Sequence, residues 1–502
     1  MRAAAERAAA LGSHEQAVTF LEQALEITTD PADRADLHER AVTSASEGLS
    51  VAIPVRHAEG ALAARREQGD REGIAAAAAN LCFTLVSVAA DPGRAVEVTE
   101  PVLAEFADLE NTAAGVKLTS TLASAYGILG DRAKELALLD RVIPIAERLD
   151  AVDTLVGALI ARGSALAMHD RPREGLLLVR GAHSMALSGG LRRRERGARN
   201  MLVFLEQWSD PSGGLDLARD GLEVARQVGS KIYAVLMAGN GAACAIRVGD
   251  FDWVTEVFDE LIPPDVTDTQ FVDLVVWRAA VKAIRGADPS GDIELASGMA
   301  AGQSDPQFEQ YEAMGRAWAA LSAGALAEAR KQGLRAAGDA STTNTFLPLG
   351  LPLAARASLW ARDLTGARAA LSALTEATQR GPALTLDKRS IEAGIVALDG
   401  RTGEALALYR DTLRGWRGIN LAWDEVLTVI DMVTLLGVGD PESRAAADWA
   451  RAALERMGAR PYLDRLDAAL AGGPAGPVGP AAGDALPTAS AAGRVQEGAT
   501  AR

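Results

Sequence analysis

The clearest hydrophobic pattern in the chain lies between Thr119 and Ile143, TSTLASAYGILGDRAKELALLDRVI. Leu122, Ala123 and Tyr126 fall at helical spacing on one face, and Leu136, Leu139, Val142 and Ile143 form a second stripe after Gly130-Asp131. Glycine reaches the left-handed conformation that ends many helices, and an aspartate after it can accept the free N–H groups of the next helix. The pattern therefore predicts two short amphipathic helices joined by a tight turn. One such hairpin cannot cover its own apolar face, but a stack of them can.

The same unit recurs along the chain. Aligning each copy on its helix-breaking turn gives seam positions at 17, 52, 95, 135, 175, 214, 254, 292, 329, 367, 405 and 446, mostly small or apolar and spaced by 35 to 43 residues. That period belongs to helical solenoids, so about a dozen hairpins are expected. No stretch alternates apolar and polar residues at period two over a useful length, which leaves no credible strand. After Leu470 the chain turns Gly-, Pro- and Ala-rich without apolar period. The division is thus a repeat domain over 1–470 and a disordered tail over 471–502.

The hairpin resembles the tetratricopeptide repeat. Leu122-Ala123-x2-Tyr126 with Gly130 follows the family's first helix, lacking only its tryptophan, while Ala17, Leu21 and Ala24 follow its second. Gly163 stands where the family keeps a small residue so that the two helices approach closely. The family's closing proline is mostly absent, and the units exceed its 34 residues. The resemblance implies an all-α, right-handed superhelical solenoid whose first helices line a concave groove. By register, Arg199, Asn240, Trp277, Arg278, Trp318 and Arg356 would face that groove, or fill the core between alanine-rich helices. The opening MRAAAERAAALGSHEQAVTFLEQAL and the segment Trp449–Leu470 also resemble the repeat region of actinobacterial regulators that carry a P-loop ATPase or nucleotide-cyclase module. With Met1 inside the first helix, the expectation is a part of such a longer architecture, the alternative being that this helix is a short cap on the first repeat.

Charge and chemistry narrow the function. A formal charge of −16 disfavours nucleic-acid binding, which needs a basic field. Two cysteines about 160 residues apart, Cys82 and Cys244, form no metal or disulfide framework, which fits a cytoplasmic protein. The uncharged run from Gly73 to Ala90 approaches membrane-spanning length, but its alanines, Asn80, Thr84 and Ser87 read better as a buried solenoid helix. No GxxxxGK[ST], HExxH or GxSxG occurs, and His14, His38, His57, His169 and His183 show no metal or catalytic spacing. No cofactor or metal site is expected. One basic cluster stands out, Arg192, Arg193, Arg194 and Arg196, either an anion site or docking patch for an acidic partner, or the solvated start of a helix. The leading expectation is a non-enzymatic scaffold or sensor arm of a signalling regulator that binds a protein or peptide, with an ATPase or cyclase module outside this chain as a further partner. The alternatives are the repeat region of a transcriptional regulator without its DNA-binding module, and a small-molecule sensor.

Overall fold

A computed structural model describes residues 1–169, 171–303, 306–338, 346–439 and 441–472; the tail expected at 471–502 lies outside the described residues from 473 onward. The first three hairpins pair α1 (Arg2–Ala10) with α2 (His14–Ile27), α3 (Pro31–Ala45) with α4 (Ala52–Gln68), and α5 (Arg71–Ser87) with α6 (Pro92–Glu105). The next three pair α7 (Ala113–Ile128) with α8 (Arg132–Arg148), α9 (Val152–Met168) with α10 (Pro172–Ser188), and α11 (Arg192–Glu206) with α12 (Pro211–Val228). Hairpins seven to nine pair α13 (Lys231–Val248) with α14 (Phe251–Leu261), α15 (Val272–Arg285) with α16 (Ser290–Ala300), and α17 (Pro306–Ser322) with α18 (Leu326–Ala337). The last three pair α19 (Leu347–Trp360) with α20 (Leu364–Glu376), α21 (Pro382–Leu398) with α22 (Thr402–Gly418), and α23 (Ala422–Leu436) with α24 (Pro441–Met457). A single helix, α25 (Arg460–Leu470), follows. The chain is an all-α superhelical stack of helical hairpins, with no strand among the described residues.

The local chemistry is the one the sequence encodes. Gly130 ends its hairpin's first helix at φ +80°, and the Asp131 side chain accepts from the Lys134 N–H at 3.2 Å to open the second. Asp70, Asp91, Asp210, Asp250 and Asp363 cap their helices in the same way. Eleven of the twelve seam positions are buried; Ala52 is exposed, because Pro54, His57 and Ala58 carry the buried face of α4 instead. Gly163 lies against Gly175, and a Cβ on Gly175 would stand 2.3 Å from the Gly163 carbonyl oxygen, so α9 and α10 cross at backbone contact. The uncharged run after Gly73 is α5, buried between neighbouring hairpins; among the described residues no helix is long and apolar enough to cross a membrane.

Two successive superhelical coils, hairpins one to six and then hairpins seven to twelve with α25, touch edge to edge. The turn inside one hairpin meets the loop between hairpins about five units further on. His14 bonds the Val228 carbonyl at 2.8 Å, and a Cβ on Gly12 would lie 3.2 Å from the Gly229 Cα. Glu47 pairs with Arg196, and its carbonyl accepts from the Lys231 N–H at 2.9 Å. The same relation recurs where Thr378 donates to the Met168 carbonyl, where Gly381 sits against Trp208, and where Gly286 meets Pro461.

The second coil has a filled interior. Eleven consecutive residues of α23, Trp423 to Val433, are buried, the signature of a helix surrounded by protein. Trp423 packs edge-on against Phe251 and Tyr462 and lies 6.4 Å from Trp318 between ring centres. The buried acids of α23 and α21 are held by two arginines. Arg247 reaches Asp424 at 2.8 Å and Asp387 at 2.9 Å, and Asp431 accepts from Arg356 at 3.1 Å and from the Trp360 indole at 2.7 Å.

Removing one member of a buried ion pair leaves an uncompensated charge. Arg247→Met is therefore expected to lower unfolding free energy by about 3–5 kcal/mol, read by urea denaturation. Adding Asp387→Asn and Asp424→Asn should recover most of the loss; a single substitution that costs nothing would contradict the closure described. A second effect concerns Glu135, whose carboxyl sits against Gly127. Burial pushes its pKa up to about 7, outweighing Arg132. The folded state thus binds the proton that the unfolded state releases, and its contribution is present below the ordinary carboxylate range and lost as pH rises through about 7. Relative to Glu135→Gln, the wild type should lose stability between pH 4.5 and about 7 and run parallel above it, checked by urea midpoints across that range.

Candidate ligand-binding surface

The inner face of the first coil differs from that of the second. The helices α3, α5, α7, α9 and α11 meet there, and side chains from opposite sides of the coil touch. The Arg193 guanidinium of the sixth hairpin lies 4.4 Å from the Phe83 ring centre in the third. One helical turn earlier on α5, the Asn80 side-chain oxygen accepts from the Lys117 ammonium at 2.7 Å. Residues three apart share a helix face, so both cations converge on one turn of α5.

The surrounding charges are matched in pairs. Asp153 holds Arg194 at 2.8 Å, Glu47 holds Arg196 at 2.6 Å, and Glu39 holds Arg65 at 3.0 Å. Among the described residues, neither Lys117 nor Arg193 has a carboxylate at ion-pair distance. Burial, then the charge of Arg194, pulls the Lys117 pKa below its ordinary value. Burial works against ionisation of Glu47 too, but its hydrogen bonds from Arg196 and Ser230 bring its pKa below the usual range. Neither cation thus has a carboxylate of its own, although Asp153, Glu39 and Glu47 lie near enough to act on them.

The four arginines of the basic cluster radiate from the start of α11. Arg192 and Arg193 are both exposed, Arg193 reaching over the Phe83 ring; Arg194 pairs with Asp153, and Arg196 closes the coil edge against Glu47. The candidates chosen by register separate more widely. Trp277, Trp318 and Arg356 are buried in the filled second coil rather than exposed on an open groove. Arg278 is paired with Asp292, Arg199 with Glu195, and Asn240 donates to Asn200 at 2.9 Å. Lys117, Asn80 and Phe83 are additional to those candidates. Their signal was composition: Lys117 is the one charged residue of α7, and Asn80 interrupts an alanine run. Among the described residues no group of three or more His, Cys, Asp or Glu is arranged to hold a metal.

No protein-family profile matches this chain, and neither does any curated protein. Among solved structures it is similar to the crystal structure of the APC/C hetero-tetramer Cut9-Hcn1, at 14% sequence identity and a TM-score of 0.44, covering 93% of this chain and 95% of that one.

Proposed function

We propose that the chain is a non-enzymatic interaction scaffold that takes a protein or peptide ligand on the inner face of its first coil. The observation that carries this reading is the contrast between the two coils. The second has its interior filled by α23 and by Tyr462 and Leu466 of α25, while the first presents Lys117, Arg193 and the half-buried Phe83 without partners that use up their charge. Two cations without a carboxylate of their own on one inner face support a ligand that brings negative charge. The likeness of its opening and closing segments to the repeat regions of ATPase- and cyclase-linked regulators supports a finer proposal, that the scaffold is the sensor arm of a signalling regulator.

Gly197 offers a direct test. It lies one turn beyond Arg193 on α11, and a Cβ there meets nothing within 4 Å. Gly181, on the second helix of its hairpin, is equally open. Gly197→Trp is expected to fold normally and to weaken binding of a partner purified with the tagged chain at least tenfold by calorimetry, whereas Gly181→Trp leaves it unchanged. Equal affinities for all three proteins would rule out the inner face. Recovery of an ATPase or cyclase as that partner would support the regulator reading, and its consistent absence from the purified complexes would count against it.

A further inference from the structure

We propose that Lys117, Arg193 and Asn80 form a recognition site for a compact dianion, a phosphate group carried by the ligand of the first coil. The proposal rests on the inner-face reading above and specifies its chemistry. Three observations support it. First, the charge count is definite. Asp153, Glu47 and Glu39 are each already held by an arginine of their own, so two positive charges remain. A phosphate monoester carries about −1.5 to −2 at neutral pH and would neutralise them.

Second, the donors are of different kinds and come from separate elements. The ammonium reaches Asn80 from α7, and the guanidinium lies over the Phe83 ring from α11. A ring contact occupies none of the guanidinium N–H groups as a hydrogen-bond acceptor would, and a phosphate presents three strong acceptors to such donors. Third, the ammonium is already held in place: Lys117 is half-buried and bonded to Asn80, so its side chain has less freedom to lose on binding. Arg196 is not part of the site, because its bidentate contact with Glu47 occupies it. A polyphosphate strand such as nucleic acid is disfavoured by the overall charge of −16, which points to a single phosphate on a small molecule or peptide.

Titration calorimetry with inorganic phosphate at constant ionic strength, in the full chain, tests the site. Saturable binding is expected, with chloride inert, and a Kd raised at least tenfold by Lys117→Met and by Arg193→Met separately. In ligand-free buffer Lys117→Met should melt no lower than wild type, because it removes an uncompensated cation; loss of binding through misfolding would instead lower the melting point. A phosphoserine peptide that binds at least tenfold more tightly than inorganic phosphate would locate the group on a peptide, while equal affinity would favour a small molecule. No phosphate binding, or the same Kd in wild type and both variants, would overturn the site. If Gly197→Trp then still abolished partner binding, the scaffold reading would stand alone. If phosphate bound as expected but Gly197→Trp left the partner bound, the scaffold reading would fall and the phosphate site would survive.

Discussion

The structure depends on one requirement: the edge of each superhelical coil must lie in register on the edge of the next. Arg247 shows the requirement most sharply. Its guanidinium leaves the end of α13 and is held by Asp387 and Asp424, which begin α21 and α23. A buried ion pair of this kind adds little stability over an apolar replacement, but it does add position. Apolar surfaces packed edge to edge can slide, whereas an arginine that needs two particular carboxylates cannot. The backbone contact of Gly12 with Gly229 and the Glu47–Arg196 pair impose the same register on the first coil.

Once the edges are sealed, the contents of the interior decide what each coil can do. In the second coil the chain supplies its own contents, with Trp423, Trp318, Trp360 and Tyr462 in mutual contact around α23. The aromatic residues that most often dominate interfaces are used here for internal cohesion. In the first coil the corresponding helices are richer in alanine, and the inner residues are Asn80, Lys117 and Arg193. The division of labour therefore follows from what fills each coil, although both coils are built from the same hairpin.

How much of this was legible in the sequence follows from the range of each interaction. Helix boundaries, caps and seams depend on neighbours within a hairpin, and Asp131, Gly163 and eleven seam positions were readable on that scale. Ala52 misled because the long connection before α4 and its Pro54 shift the buried face by two residues. Trp277, Trp318 and Arg356 lie on first helices, but what covers those helices lies elsewhere in the chain: Arg356 meets Asp431, 75 residues on. Local periodicity identifies the face a residue occupies; it carries no information about which distant element covers it. Lys117 escaped notice for the opposite reason, since a lone lysine on a helix is unremarkable until its lack of a carboxylate is seen in three dimensions.

The coil-to-coil contacts also bear on how such a chain can change over evolutionary time. An open solenoid contacts only its nearest neighbours, so units can be duplicated or lost with local consequences. Here Gly12 belongs to Gly229, Met168 to Thr378, and Gly286 to Pro461. Adding or deleting a single hairpin between any of these partners would bring the wrong edge residues together along the whole line of contact. The number of hairpins between the partners is thus fixed by geometry, and the lineage is left to diverge by substitution within units rather than by changing how many it has.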